Sequence, residues 1–254
     1  MNFQITTLNV VPPSAHPDLL WQRYLVPNPD KDGKFKASLE EWKRVTAFQP
    51  GAVYSAAYGR WKRALTSKPD MLLHEAKVEG RLLTGSGLAS VFETALLLHP
   101  VYGVPYLSGS SLRGALRAAL AVTHPTEAAT LFGSEPQPSG TAAESITAGY
   151  ISVFDALWVP GSSRTPLSLD VLTVHHPDYY GGTGAPTDFD QPTPVNFITG
   201  RGKFLFALQA PNAEWKEYVR KLLEFTLRFR GVGAKKSAGY GRFLSAAPPL
   251  APPV

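Results

Sequence analysis

The strongest periodic signal in the chain lies near its C-terminus, where Trp215, Val219, Leu222, Phe225 and Phe229 recur at steps of three and four residues. That spacing draws one apolar stripe along a helix, and Lys216, Glu217, Arg220, Lys221, Glu224 and Arg228 supply the polar remainder. Pro211-Asn212 before the run and Gly231 after it serve as start and stop. Leu112, Ala115, Leu116 and Ala119 mark a second helix over 112–121, with Ser110 or Ser111 as its cap. Upstream, the segment 38–48 carries Ser38 and Glu41 at capping-box spacing, and 18–25 is a shorter helical candidate. Tyr54, Tyr58, Trp61 and Leu65 form an aromatic helical face that reads as core before it reads as a base-stacking platform.

Alternation picks out strands at 76–84, 149–158 and 240–244, with 195–199 and 203–209 on either side of a Gly200-Arg201-Gly202 turn. Residues 90–99 fit helix or strand equally well. Residues 123–147, rich in Thr, Ser, Pro, Gly and Ala, read as a loop carrying a short turn at Leu131-Phe132-Gly133. The segment 160–194 is long and weakly periodic, and a connection of that length is usually functional or disordered. Set apart from insertions, the order is strand, helix, strand, strand, helix, strand. The expected class is therefore α+β with a ferredoxin-like core, the arrangement used by RNA-recognition (RRM-like) modules. A helical N-terminal extension would span 1–75 and the core 76–245, with an insertion at 160–194 and a proline-rich tail at 246–254.

A chain of 254 residues with 44% hydrophobic content has ample material for a core. It has no cysteine, which excludes disulfides and thiolate metal sites and fits a reducing cytoplasm. There is no basic-headed apolar leader and no apolar run near twenty residues, so a soluble, cytoplasmic protein with no membrane partner is expected. The formal charge of +5 is uneven: residues 201–245 hold ten Lys and Arg against three Glu, leaving the remainder slightly acidic. Such a concentration points to a polyanionic partner.

At the centre of that charge lies GVGAKKSAGYGRF, residues 231–243, in which Gly231, Gly233, Gly239 and Gly241 alternate with Lys235, Lys236 and Arg242. Backbone without Cβ atoms can approach a phosphate closely, and lysines add charge. The spacing matches neither the dinucleotide fingerprint nor the P-loop, and both would need a strand before and a helix after, the reverse of the order here. A helix C-cap is the plainer reading of Gly231 alone. The start of the 112–121 helix offers a second anion-facing position, with Arg113 and Arg117 one turn apart. Arg23, Lys43, Arg44, Arg60, Lys62 and Arg63 fit solvated surface or RNA contact equally. Catalytic signals are weak. His175 and His176 lie near Asp170 and Asp178, but adjacent strand residues point to opposite faces, so neither a metal nor a cofactor is expected. His99 and His124 each precede a proline, and no nucleophile or zinc-protease motif is present.

Two of these stretches resemble a known family. The C-terminal helix followed by G-x-G-x-x-K-x-x-G-Y-G-R resembles the glycine-rich loop of the repeat-associated (RAMP) CRISPR proteins, and YGVPYLSGSSLRGALR over 102–117 resembles their first-helix signature. Together with HPDLLWQRY at 16–24, the pattern is most similar to the sixth-subunit family of type III-B (Cmr) effectors. The resemblance implies an RNA-binding structural subunit that holds the 3′ part of the CRISPR RNA and the guide–target duplex. Its implied partners are CRISPR RNA, target RNA, the repeated backbone subunit, the small helical subunit and the subunit that closes the 3′ end. In that family target cleavage belongs to the backbone subunit, through an aspartate after the first strand. Residues 85–111 here contain no Asp and one carboxylate, Glu93, so a non-enzyme is expected. The insertion resembles a duplex-wedging thumb, with a docking loop as the alternative. The implied RNA-binding set is Ser110, Ser111, Arg113, Arg117, Arg164, Tyr179, Tyr180, Gly231, Gly233, Lys235, Lys236, Gly239, Tyr240, Gly241 and Arg242. The alternative function is a metal-independent endoribonuclease that processes CRISPR precursor RNA.

Overall fold

The fold is taken from a computed structural model, which describes residues 16–20, 28–29, 35–36, 38–90, 94–134, 147–174, 179, 181–187 and 193–244. A helical turn, α1 (Pro17–Leu19), and a short ladder of β1 (Asn28–Pro29) with β2 (Phe35–Lys36) precede helices α2 (Leu39–Thr46) and α3 (Ala52–Thr66). Most of the expected 18–25 helix lies outside the described residues. The capping box of α2 forms: the Ser38 hydroxyl accepts from the Glu41 amide at 3.3 Å, and Glu41 accepts from the Ser38 amide at 2.6 Å.

One antiparallel sheet runs in the order β10 (Phe243–Leu244), β3 (Met71–Val78), β9 (Lys203–Gln209), β6 (Ala156–Trp158), β4 (Tyr106–Leu107), with β5 (Ser152–Val153) also on β9. Its centre is β9, where Phe204, Leu205, Phe206, Ala207 and Leu208 are all buried. An unbroken apolar run belongs to a strand covered on both faces, and β3 shows what covers each. Leu72, Ala76 and Val78 join the main core, and His74 on the same face lies 3.9 Å from Glu224 of α6 (Ala213–Phe225). Met71 and Leu73 pack with Leu65 of α3, and Glu75 accepts from Lys62 of α3 at 2.7 Å. The strand thus divides its side chains by alternation between α3 on one face and α6 on the other. Helix α4 (Gly109–Ala121) packs against α6, and Phe243 meets Phe204 and Phe206 edge-on at 6.0 and 5.2 Å.

Several elements depart from the sequence-based expectation. Strand β3 begins at Met71, not 76, because Met71-Leu72-Leu73 faces apolar layers on both sides and shows no alternation. The expected loop at 123–147 contains α5 (Pro125–Phe132), which opens on a proline and buries Ala128, Leu131 and Phe132. The expected strand at 149–158 breaks into β5 and β6 at Phe154-Asp155. Within 160–194 lies a full strand, β7 (Leu167–Val174), paired with β8 (Thr193–Gly200) from Leu167↔Gly200 to Val174↔Thr193. Strand β8 therefore pairs with β7, and not with β9 across the Gly200-Arg201-Gly202 turn. Phe229 leaves the apolar stripe and is 43% exposed. Helix α6 ends in a π-helical turn, Thr226–Arg230, which widens the spiral and shifts its phase, so that Leu227 is buried and Phe229 is turned outwards.

Phe206→Ala should destabilise the fold by about 3–5 kcal/mol, the usual range for truncating a fully buried aromatic, whereas Ser38→Ala should cost about 1 kcal/mol through loss of one cap. Urea denaturation with an unchanged slope checks both.

Candidate nucleic-acid interface

The residues that follow β3 gather the site. Leu82 and Leu83 are fully buried, and the backbone of 81–84 pairs with three different segments. Gly241 donates to the Arg81 carbonyl at 2.8 Å, and Ala234 to the Leu83 carbonyl at 2.7 Å. Leu82 and Gly200 exchange two bonds, at 2.9 and 2.7 Å, which fixes the base of the β7–β8 hairpin. Leu97 donates to the Thr84 carbonyl at 2.8 Å, while the Thr84 hydroxyl donates to the Tyr106 carbonyl at 3.2 Å, two residues before the cap of α4. The glycine-rich segment, the hairpin base and the start of α4 are thus all tied to one four-residue stretch.

The glycines of 231–242 are first of all internal requirements. Gly241 has φ +70°, and a Cβ there would overlap the Val232 carbonyl oxygen; at Gly233, with φ +83°, it would overlap the Leu83 carbonyl oxygen. Their small size lets the segment lie flat on its own backbone and on the end of β3. Gly231 ends the π-helical turn, and Gly239 follows the 3-10 turn Lys236–Ala238 with open space around it. That turn is entered through Lys235, a left-handed residue at φ 54°. Lys235, Lys236, Gly239 and Arg242 are exposed. Among the described residues the amides of Lys235, Lys236 and Ser237 meet no acceptor, so an exposed row of donors and cations crowns the segment.

Tyr240 points the other way. Its hydroxyl donates to Asp170 of β7 at 2.9 Å, and its ring lies 6.0 Å from that of Phe197 on β8. Asp170 also accepts from the Val171 amide at 2.9 Å. Burial and the carboxylate together push the Tyr240 hydroxyl up to about 12. This residue, expected to touch RNA, joins the glycine-rich segment to the hairpin.

The start of α4 differs from its expected form. Ser108 is the cap, ahead of Ser110 and Ser111, and its hydroxyl accepts from the Ser111 amide at 3.3 Å. Asp155, in the break between β5 and β6, accepts from the Gly109 amide at 2.7 Å. A carboxylate and a serine thus already use two of the helix-end donors that an anion would need. Ser110 and Ser111 remain exposed. The Arg113 guanidinium donates to the Phe132 carbonyl at the end of α5, so this side chain braces the α4–α5 corner. Arg117, half-buried, is one turn further along the same flank. Arg164 is exposed at the hairpin base, Tyr179 is 53% exposed, and Tyr180 lies outside the described residues.

The histidines have local roles. His99 closes a tight turn, accepting from the Val101 amide at 3.2 Å, and its ring lies 4.7 Å from that of Tyr102. Burial pulls its pKa below the usual imidazole value despite the opposing charge of Asp155. His124 occupies the cap position of α5. His175, His176 and Asp178 lie outside the described residues. Among the described residues no three His, Asp or Glu side chains converge as metal ligands, and no helix is long and apolar enough to cross a membrane.

Over residues 75–244 the chain matches the RAMP superfamily, and it belongs to that superfamily. It is 27% identical, over a 253-residue alignment covering 74% of each chain, to the CRISPR system Cmr subunit Cmr6 of Pyrococcus furiosus. Its fold is similar to that of a chain in the cryo-EM structure of the Type III-B Cmr-beta bound to cognate target RNA, with a TM-score of 0.62 and 20% identity, covering 80% of this chain and 69% of that one. The crystal structure of Cmr6 from Pyrococcus furiosus gives a TM-score of 0.41 at 26% identity, covering 68% and 97%.

The Tyr240–Asp170 bond has a signature at alkaline pH. A folded-state pKa near 12, above the unfolded value near 10, contributes stability that is complete below about pH 10 and is lost as pH rises towards 12. Tyr240→Phe should be less stable than the parent at pH 8, and its stability should fall less steeply between pH 10 and 12. Denaturant melts across that window measure the difference.

Proposed function

We propose that the chain is an RNA-binding structural subunit of a type III-B CRISPR ribonucleoprotein effector, of the sixth-subunit type, contacting CRISPR RNA, target RNA and neighbouring subunits. Its core is then ferredoxin-like. In chain order β3, α4, β6, β9, α6 and β10 follow the strand–helix–strand–strand–helix–strand pattern, and the spatial order β10-β3-β9-β6 is the fourth, first, third and second of those strands. The likeness to a Cmr6 subunit supports the assignment to this effector class.

The observation that carries the RNA-binding role is the gathering of both RAMP-like motifs on the stretch after β3. Exposed Lys235, Lys236 and Arg242 stand on the segment hydrogen-bonded to Arg81 and Leu83, while Ser110 and Ser111 follow Tyr106 on the other side of Thr84. Cations and amides without side-chain selectivity grip a phosphate backbone and leave sequence to base pairing. The β7–β8 hairpin, standing on the same stretch, is the thumb of this arrangement. Residues 85–111 offer no acid apart from Glu93, which favours a non-catalytic role over precursor-processing ribonuclease activity.

Lys235→Ala/Lys236→Ala should weaken RNA binding to a similar extent for unrelated sequences. The slope of log affinity against log salt should flatten by about 0.7 for each single-strand phosphate that the variant no longer neutralises. Unchanged affinity and slope would remove this segment from the RNA site. Incubating the parent with repeat-containing RNA in EDTA should leave the RNA intact; a discrete product abolished by His99→Ala, His124→Ala or His175→Ala would establish the nuclease instead.

A further inference from the structure

We propose that the cleft between α2 and the base of the β7–β8 hairpin is a second site for RNA backbone phosphate, an inference that rests on the RNA-binding role above. The cleft has a volume of about 340 Å³ and brings Lys43, Arg164 and Arg201 together with Gln49 and Ser168, over a floor that includes Leu167 and Leu169. Among the described residues no carboxylate lines it. Three cations with neutral donors and no acid form a receptor for an anion with several acceptor oxygens.

Arg201 makes the site built and not merely charged. Its Nε donates to the Thr165 carbonyl at 3.1 Å and its Nη2 to the Thr165 hydroxyl at 2.7 Å, while Thr165 itself is 8% exposed. Those bonds fix the plane of the guanidinium and leave three of its five N–H groups without a partner among the described residues. Arg164 is exposed, with no partner among the described residues. Lys43 reaches Glu40 at 2.9 Å, but that pair is exposed and offers little resistance to exchange for a phosphate. The C-terminal end of α2 contributes only about half a negative charge against three full positive ones.

The position of the cleft favours RNA over an acidic protein segment. Leu167, Ser168 and Leu169 line the cleft, and the next residue, Asp170, meets Tyr240 of the glycine-rich segment. The start of β7 therefore lies between the cationic cleft and the cationic glycine-rich segment. A strand that rounds the hairpin finds phosphate partners before and after it.

The test is a salt titration of RNA binding by the full chain carrying Lys43→Ala/Arg164→Ala, both exposed positions, with Arg60→Ala/Arg63→Ala on α3 as an equal loss of charge elsewhere. The cleft variant should flatten the salt slope by up to about 1.4, twice the value for one phosphate, and the control pair should leave it near the parent's. Combined with Lys235→Ala/Lys236→Ala, the two reductions should add. A parental slope in the cleft variant, alongside a reduced slope in the lysine variant, overturns the cleft and leaves the RNA-binding role standing. Parental slopes in both overturn that role as well. Equal reductions in the cleft and control variants assign the effect to net charge and overturn the site. Intact RNA binding with loss of a co-purifying protein subunit assigns the cleft to protein docking, which also overturns it.

Discussion

Everything that makes this molecule a candidate RNA receptor hangs on four residues of backbone. Past β3, the amides and carbonyls of 81–84 pair with the glycine-rich segment, with the hairpin base at Gly200 and with Leu97, and the Thr84 side chain reaches the entry to α4. Burying this stretch obliges each polar group to find a partner, since an unpaired one costs about 1–3 kcal/mol. Segments far apart in the chain supply those partners. The constraint explains why Gly233 and Gly241 must be glycine: a side chain would push the segment off the carbonyls it packs against. It also explains why the segment can present Lys235 and Lys236 outwards, because the other side of its backbone is already engaged.

A second tie gives the hairpin its direction. Tyr240 carries a hydrogen bond and a ring contact from the glycine-rich segment onto β7 and β8, so the hairpin leans on the segment and does not swing freely from its base. At the start of β7 the cleft between α2 and the hairpin adds Lys43, Arg164 and Arg201. Positive charge concentrated in 201–245 along the sequence is thus extended in space by residues from α2 and from the start of the hairpin. The polyanion suggested by composition has a path to follow as well as a point of attachment.

What could be read from the sequence was local. Helix α6 and the capping box of α2 follow from spacing within a turn or two, and both family-like motifs stand as continuous strings. The contacts that assemble the site were not legible, because they join residues with no sequence relationship. Asp155 reaches Gly109 across 46 positions, and Asp170 reaches Tyr240 across 70. Leu82 and Leu83 contribute through backbone atoms, for which side-chain identity carries no signal. Strand β7 was legible in principle, since LSLDVLTV alternates at its start, but its proline- and glycine-rich surroundings hid it. Pro125, in the position that opens a helix, was a usable clue to α5.

In the proposed binding mode RNA lies across the exposed face of the glycine-rich segment and the start of α4 at once, both held by the stretch after β3. Amide hydrogen exchange with and without saturating guide RNA tests this, because the amides of Lys235, Lys236, Ser237 and Ser110 meet no acceptor among the described residues, while those of Gly109 and Ser111 are already engaged. Bound RNA should slow exchange at 235–237 and at Ser110 together. Saturated binding with unchanged exchange in both stretches would show that RNA lies elsewhere on the protein.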